Sequence, residues 1–309
     1  MLDAVWSGGR LFTKEHLIKN TGKGANVPPT ILWAALQDRE WTGKPHITDL
    51  LKGPRQKYLE ITNDYSVTVD SVIKSLYGKA MHGIFDSSPN DDCWTEVEID
   101  YLDVLMRFDA IYYHNNGELT LCDNKILGSY AIAKYLGLKK EYTPALDEYG
   151  NQQIYKTGQK KGQTVMTSRL TRDPDPADQY DFHLQLNAYR VAMNDILANR
   201  IGLYPQFKNI AGMEVSHLKL FIIPRDGNLR EAISRGIDEP FYYLDVPVMA
   251  DELVREEITT RRDTLLHALE TEEMPRLCTP REAWDGNKCV SYCPVSNVCK
   301  AHGDNTYLT

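Results

Sequence analysis

Two aspartates and a lysine in the middle of the chain, Asp109, Asp123 and Lys125, have the residue types needed for metal-assisted hydrolysis. Carboxylate oxygens are the ligands that Mg²⁺ and Mn²⁺ prefer in proteins. Because side chains alternate along a strand, Asp123 and Lys125 are expected to face the same side. A carboxylate there could hold a cation while the ammonium group orients water or stabilises developing charge. Taken alone, Asp-x-Lys is more typical of a solvated surface strand.

The elements around these residues predict a hairpin that brings the two aspartates together. Three runs have strand character: Trp94–Asp100, Tyr101–Tyr113 and Leu119–Ile126. Asn116-Gly117 lies between the last two runs, and Asn-Gly between β-rich segments is a good hairpin signal. Facing carboxylates in neighbouring antiparallel strands are roughly 5 Å apart, close enough to share a cation.

Two helices are predicted beside these strands. The segment Val69–Phe85 has helical periodicity and carries His82 near its C-terminal end. The amphipathic segment Tyr180–Arg200 places Gln185 and Tyr189 one turn apart on one face. Buried positions are predicted in the first helix at Val72, Ile73, Leu76, Tyr77, Ala80 and Ile84, and in the second at Leu184, Ala188, Val191 and Ile196.

The rest of the chain contains further predicted elements. The predicted helices are Ile31–Glu40, Asp49–Leu51 with Thr48 as its N-cap, Arg55–Ile61, Ser129–Leu138 and Glu252–Glu270. Two more strands are predicted, a buried one at His217–Pro224 and an edge strand at Phe241–Val246.

The order of these motifs resembles that of one known family. Four segments follow one another: Gly78-Lys79-Ala80-Met81-His82, Arg107-Phe108-Asp109, Asp123-Asn124-Lys125 and Gln185-Leu186-Asn187-Ala188-Tyr189. In this order the chain resembles the RecB-like branch of the PD-(D/E)XK nucleases, from about Ile47 to Cys299. That branch includes CRISPR-adaptation exonucleases, the nuclease domains of RecB and AddB, and many phage recombination nucleases.

The resemblance implies an α/β, restriction-endonuclease-like core with a central mixed sheet flanked by helices. It implies that His82, Asp109 and Asp123 ligate Mg²⁺ or Mn²⁺ and that Lys125 is catalytic. It further implies two residues that contact DNA or order the catalytic residues, Gln185 and Tyr189. The implied reaction is hydrolysis of DNA phosphodiesters, favoured as exonuclease action in recombination, repair or DNA-end processing.

The chain departs from the family pattern at two places. Met106 stands where the family often has a small glycine, three residues before the first aspartate. The interval between Lys125 and the Gln–Tyr pair is long for the family. Upstream of Asp109, Glu96 and Glu98 share a predicted strand face. A solvated face is the favoured interpretation, and assistance to the metal through water is the alternative.

A basic stretch lies within the predicted insertion 127–180. The chain has a net charge of −8, yet no acidic residue occurs from Tyr149 to Arg172. The positive residues there are Lys156, Lys160, Lys161, Arg169 and Arg172. A solvated loop and a loop that guides DNA over the site both fit this pattern.

Four of the six cysteines crowd into the C-terminal part of the chain, at Cys278, Cys289, Cys293 and Cys299. Without a recognisable signal peptide, disulfides are disfavoured and a metal site is favoured. Iron–sulfur members of the resembled branch carry an earlier thiolate in a Cys-Pro-Arg phrase, which here is Gly53-Pro54-Arg55, so Cys278 is the predicted replacement. Family analogy favours a [4Fe–4S] cluster over zinc, and four free thiols remain the plain alternative. The earlier Cys93 and Cys122 are predicted to be small core residues.

These interpretations combine into one expected organisation. Residues 1–45 form an N-terminal extension, 46–270 a nuclease core, and 271–309 a cysteine-rich, metal-bound tail. The expected partners are DNA ends and a helicase or recombination protein. A cytoplasmic location is expected, in the host cytoplasm for a phage protein, without membrane association. The alternatives are a non-catalytic nucleic-acid-binding protein with a zinc-bound tail and a nuclease subunit that is active only with a helicase partner.

Overall fold

The computed structural model of the protein describes residues 2–7, 9–20, 27–37, 40–86, 92–114, 116–173 and 176–301. The strands are β1 (Leu2–Ser7), β2 (Arg10–Thr13), β3 (Tyr65–Thr68), β4 (Cys93–Tyr101), β5 (Val104–Tyr113), β6 (Leu119–Leu127), β7 (Leu138–Pro144), β8 (Met166–Arg172), β9 (Val215–Pro224) and β10 (Tyr242–Asp245). The helices are α1 (Lys14–Asn20), α2 (Pro29–Leu36), α3 (Ile47–Leu50), α4 (Pro54–Thr62), α5 (Val69–Asp86), α6 (Ser129–Tyr135), α7 (Pro176–Asp195), α8 (Arg230–Ser234), α9 (Asp251–Thr271), α10 (Asn287–Ser291) and α11 (Ser296–Ala301). A π-helical turn, Ile196–Arg200, continues α7.

The fold is mixed α/β, with a central mixed five-stranded sheet flanked by helices. The strand order is β10-β9-β6-β5-β4. The three strands predicted in the middle of the chain are present as β4, β5 and β6, and both of their hairpins are antiparallel. In the second hairpin, Gly117 has a φ of 88°, a conformation that favours glycine. The predicted α/β class and central sheet are therefore confirmed, and β10 is an edge strand as predicted.

The turn between β4 and β5 corrects one predicted boundary. The sequence pattern predicted a strand starting at Tyr101, but Leu102 and Asp103 form a tight turn with φ values of 53° and 55°. Tyr101 pairs with Val104 across this turn. The turn therefore sets the register of the whole β4–β5 hairpin.

The N-terminal segment builds a second, smaller sheet. Its order is β2-β1-β3, with β3 parallel to β1. Val5, Phe12 and Leu32 are at most 1% exposed in its core, which also includes Val69 at the start of α5. This sheet therefore packs against the helix that carries His82.

Several predicted helix details change in the structure. The helix predicted at 31–40 begins at Pro29 and ends at Leu36, and the one predicted at 129–138 ends at Tyr135. The predicted N-cap Thr48 is wrong, because α3 already begins at Ile47. There the Asp49 carboxylate accepts a hydrogen bond of 3.1 Å from the backbone N–H of His46.

Burial along the two long predicted helices differs. In α7 and its π-helical continuation, the four predicted core residues are at most 1% exposed: Leu184, Ala188, Val191 and Ile196. In α5, Tyr77 and Ile84 were predicted on the buried side but are 55% and 57% exposed. Val72 and Ile73 do pack against the core of the N-terminal sheet. The buried stripe of α5 is therefore shorter than its apolar pattern suggests.

The chain divides into two compact units. The first comprises Met1–Asn124, Asp181–Leu220 and Asp245–Thr309, and the second comprises Lys125–Tyr180 and Phe221–Leu244. In the second unit, β7 and β8 form a two-stranded antiparallel sheet, which isolated bridges at Leu146–Gln152 and Ile154–Thr164 extend. This hairpin replaces the polar loop that the sequence pattern predicted. No helix in the described ranges is long and apolar enough to cross a membrane.

Candidate metal centres

Asp109 and Asp123 lie side by side on the central sheet. Ala110 pairs with Cys122 across β5 and β6, so the adjacent positions, Asp109 and Asp123, are cross-strand neighbours. Such neighbours point to the same face of a sheet. Asp109 is 8% exposed and Asp123 is 1% exposed. Asp109 Oδ2 accepts a hydrogen bond of 2.5 Å from the backbone N–H of Asn124. The structure thus brings together the two carboxylates that the hairpin predicted.

A third carboxylate, Glu96, extends this row onto β4. The residues on either side of Glu96 pair with β5 in one register, which places Glu96 opposite Asp109. Its φ of 51° is rare for a non-glycine residue in a strand, and such backbone strain is concentrated at functional sites. The prediction of a solvated strand face holds for Glu98, which is exposed, and is wrong for Glu96, whose side chain is 11% exposed.

His82 approaches the row from α5. Its Nδ1 lies 2.8 Å from Glu96 Oε1 and 3.5 Å from Asp109 Oδ1. One potential ligand atom from each of these three residues lies within 4.8 Å of the other two. An imidazole with two carboxylates suits a divalent cation such as Mg²⁺ or Mn²⁺. Asp123 neighbours Asp109 across the strands but is not part of this 4.8 Å group. We call His82, Glu96, Asp109 and Asp123 the carboxylate centre.

Three polar side chains hold this centre in place. Arg107 Nε lies 2.6 Å from Glu96 Oε2 and reduces the repulsion among the carboxylates. The Nε2 of Gln185 donates a hydrogen bond of 2.8 Å to Tyr189 Oη and one of 3.4 Å to Asp123 Oδ1. Gln185 and Tyr189 are 5% and 1% exposed. The predicted Gln–Tyr pair therefore lies directly behind the centre.

The local electrostatic potential is negative. Burial, followed by the charges of Asp123, Asp109 and Glu96, raises the pKa of Tyr189 well above its usual range, and the Gln185 hydrogen bond acts in the opposite direction. Tyr189 is therefore a neutral phenol at physiological pH. Clustered carboxylates repel a phosphate group unless a cation lies between them. The donor set thus fits a divalent cation. Without a cation, the same carboxylates would repel a phosphate group.

The predicted lysines lie in two places. Lys125 is half-buried in β6, two residues beyond Asp123, where the pleat directs both side chains to one face. The other three, Lys156, Lys160 and Lys161, are exposed in the segment of the second unit between β7 and β8. Lys160 Nζ lies 5.9 Å from the centre of the Tyr155 ring, a cation–π contact.

Sequence reasoning missed the role of Glu96 in this centre and that of Arg107 beside it. No glycine marks the Leu102-Asp103 turn that sets their register, so no local sequence signal pointed to them. Counting back along β4 from a turn there places Glu96 opposite Asp109 and Glu98 opposite Arg107.

The four late cysteines line a second candidate site, which we call the cysteine cavity. Cys278, Cys289, Cys293 and Cys299 share this cavity with Arg55, Gln56 and Leu59 of α4. None of the six cysteines, all of which lie in the described ranges, forms a disulfide. Burial raises the pKa of Cys278, and it raises the pKa of Cys293 to about 11. Four thiols match the number of donors that a zinc ion or a [4Fe–4S] cluster takes, and either requires their deprotonation. No three of these four described cysteines have their sulfur atoms within 4.8 Å of one another.

Gly53 has a backbone conformation and surroundings that favour glycine. Its φ is 94°, and a Cβ atom there would lie 3.1 Å from Glu282 Cδ. Glu282 is buried and accepts hydrogen bonds of 2.8 and 3.0 Å from Arg276. The backbone and this ion pair together disfavour a side chain at position 53, while Cys278 lines the cavity.

No protein-family model and no curated protein matches this chain. One solved structure that is similar, described as "Crystal structure of SSO0001", shares 15% sequence identity with a TM-score of 0.38. The match covers 88% of this chain and 93% of that one. A likeness of this degree carries no argument about fold or function.

Proposed function

We propose that this chain is a Mg²⁺- or Mn²⁺-dependent deoxyribonuclease of the PD-(D/E)XK type. In this proposal it hydrolyses phosphodiester bonds at DNA ends during recombination, repair or end processing. The observation that carries the proposal is the compact group formed by His82, Glu96 and Asp109, whose potential ligand atoms lie within 4.8 Å of one another. His82 and Asp109 precede the Asp123-x-Lys125 strand in the order typical of the resembled family.

Each residue has a distinct role in this proposal. His82, Glu96, Asp109 and Asp123 are the residues that would hold the cation. The cation, when bound, polarises the scissile phosphate and makes water more acidic. Arg107 and Gln185 keep two of the carboxylates oriented before any substrate arrives. Lys125 supplies a positive charge on the strand face of Asp123, where negative charge develops during phosphodiester hydrolysis.

The test is digestion of end-labelled linear single- and double-stranded DNA in Mn²⁺, in Mg²⁺ and without added divalent cation. We expect cation-dependent cleavage, and a loss of about a thousandfold or more in Asp123→Ala and in Lys125→Ala. Asp245→Ala is the matched control, because it removes a carboxylate that is 81% exposed on the edge strand of the same sheet. It should cleave like the wild type.

The same assay separates the proposal from its rivals. Wild-type activity in both Asp123→Ala and Lys125→Ala would refute the assigned centre. A folded protein that binds DNA without cleaving it under any condition would favour a nucleic-acid-binding protein. Cleavage that appears only after addition of a helicase would favour a partner-dependent subunit.

We further propose that the cysteine cavity holds a [4Fe–4S] cluster with a structural role. Its four thiols would attach the tail to α4, since Arg55, Gln56 and Leu59 line the same cavity. Purification without oxygen, followed by iron, sulfide and zinc analysis, tests this assignment. Stoichiometric zinc without iron would replace the cluster by a zinc ion, and the absence of both metals from folded protein would refute the site.

A further inference from the structure

The second unit contains a cavity that the nuclease proposal does not use. Its volume is about 360 Å³, and residues of α6, β7 and β8 together with Arg235 line it. That volume falls within the range of about 300–1,000 Å³ that is typical of ligand pockets. Every lining residue belongs to the second unit, so the cavity can be considered apart from the carboxylate centre.

The lining carries an excess of positive charge. Lys134, Lys139, Lys140 and Arg235 contribute four cations, against one carboxylate from Asp173. Lys139 Nζ lies 2.6 Å from Asp173 Oδ2, so this carboxylate is already paired within the lining. Lys140 and Arg235 favour an anionic ligand, and lysine with arginine is a typical combination for binding phosphate.

Arg235 is held in position by a hydrogen-bonded chain. Its Nη1 donates to Ser129 Oγ at 2.8 Å, and Ser129 Oγ donates to Asp226 Oδ2 at 2.7 Å. Next to it, Gly236 has a φ of 79°, and a Cβ there would lie 2.4 Å from Leu170 Cδ2. Glycine therefore lets Leu170 pack against the backbone at position 236, next to Arg235 in the chain. Residues 235 and 236 therefore help to position both a charged part and an apolar part of the cavity lining.

The cavity also offers an aromatic and an apolar surface. Tyr130 is 71% exposed and Leu170 is 41% exposed, although both line the cavity. An exposed ring beside phosphate-binding cations is the combination on which single-stranded nucleic acids stack their bases. A ligand with a flat base and a phosphate group matches both parts of the lining.

One face of the β7–β8 hairpin continues from the cavity. Lys140 pairs with Leu170, and two residues further along β7 stands Tyr142, which is 62% exposed. Arg172 lies on the same face, two residues beyond Leu170 on β8. This face of the two strands carries no acidic residue, whereas Glu141 lies on the opposite face. A strand of DNA could therefore extend from the cavity along this face.

We propose that the cavity binds one nucleotide of a single DNA strand. The base packs against Tyr130 and Leu170, and the adjoining phosphates contact Lys140 and Arg235. The strand continues along the hairpin face that carries Tyr142. The choice of DNA as the nucleic acid rests on the proposed function, whereas the cavity itself does not involve the carboxylate centre.

The test is fluorescence anisotropy with a short labelled oligothymidylate. It is performed on the Asp109→Ala protein without added divalent cation, so that cleavage does not interfere. In this background, Tyr130→Leu and Lys140→Glu should each weaken binding about tenfold. Both side chains are exposed, so neither change should impair folding, which circular dichroism would verify. The matched controls, Tyr243→Leu and Lys208→Glu, alter exposed residues outside the cavity and should bind the oligonucleotide normally.

Competition experiments identify the form of the ligand. Free thymidine monophosphate should compete much less well than the unlabelled oligonucleotide, and equal competition would overturn the assignment of a DNA strand. Equal competition by inorganic polyphosphate would overturn the role of the Tyr130 ring. Unchanged binding by both cavity variants would overturn the proposal as a whole, whether or not the protein proves to be a nuclease.

Discussion

The carboxylate centre and the cysteine cavity gather their candidate ligands in different ways. Protein side chains contact the carboxylates directly: His82 and Arg107 contact Glu96, and Gln185 donates to Asp123. Three of these ligands stand on hydrogen-bonded strands of the central sheet. The four cysteines instead come from a segment whose regular structure consists of the short helices α10 and α11.

The two sites should therefore respond differently when a candidate ligand is removed. A sheet that is already paired does not need a metal ion to hold its shape, so removal of a carboxylate should impair cation binding and leave folding intact. A segment with little regular structure gains much of its order from whatever its thiols bind. Removal of one thiol should therefore affect folding first.

The largest expected effect is that of Cys289→Ser on stability. One of four ligands is lost, and metal binding to structural sites of this kind is worth about 10 kcal/mol or more, so we expect a loss of at least about 3 kcal/mol in the free energy of unfolding. Chemical denaturation of anaerobically purified protein measures this loss. Cys93→Ser is the matched control, because Cys93 is half-buried in β4. Equal stability of the two variants would contradict a structural metal in the tail.

The next effect is that of Glu96→Gln on cation affinity. The isosteric change removes one charge from the carboxylate centre, and we expect Mn²⁺ binding, measured by calorimetry, to weaken about tenfold to a hundredfold. The free energy of unfolding should stay nearly constant, because the lower repulsion among the carboxylates offsets the weakened ion pair with Arg107.

Glu98→Gln provides the matched control for this change. Glu98 lies two residues further along β4 and is exposed, so its substitution should leave Mn²⁺ affinity unchanged. Equal effects of the two substitutions would show that the centre responds to general charge and that Glu96 has no special position.

Two turns of the central sheet show which part of the carboxylate centre the sequence could predict. Asn116-Gly117 is a recognised turn pair, so the β5–β6 hairpin and the meeting of Asp109 with Asp123 followed from local chemistry. Leu102-Asp103 forms an equally tight turn without glycine, in a backbone conformation that non-glycine residues seldom adopt. The position of Glu96 depends on that turn, which explains why it was missed.

The second unit shows a different limit of sequence prediction. The strands β7 and β8 are exposed on both faces, so they lack the alternation between apolar and polar residues that normally identifies a strand. Leu170 and Arg235 meet at the cavity although they lie far apart in the chain, because Gly236 permits close packing. Neither the two strands nor the shared lining of the cavity can be recognised from a local sequence pattern.

The smallest expected effect concerns the support behind the carboxylate centre. Tyr189→Phe removes the oxygen that accepts the 2.8 Å hydrogen bond from Gln185. The loss of one buried hydrogen bond should lower the free energy of unfolding by about 1–2 kcal/mol. DNA cleavage should fall by less than about tenfold, because the ligands themselves remain, and Gln185 can still donate to Asp123.

Tyr204→Phe is a suitable comparison for this last variant, because Tyr204 Oη accepts a 3.0 Å hydrogen bond from the backbone N–H of Asp100. It should lose similar stability and keep full cleavage. A fall of more than about a hundredfold in Tyr189→Phe alone would mean that the phenol takes part in the reaction. Since its raised pKa keeps it protonated, it would then act as a hydrogen-bond donor, and the cation affinity of the variant would stay unchanged.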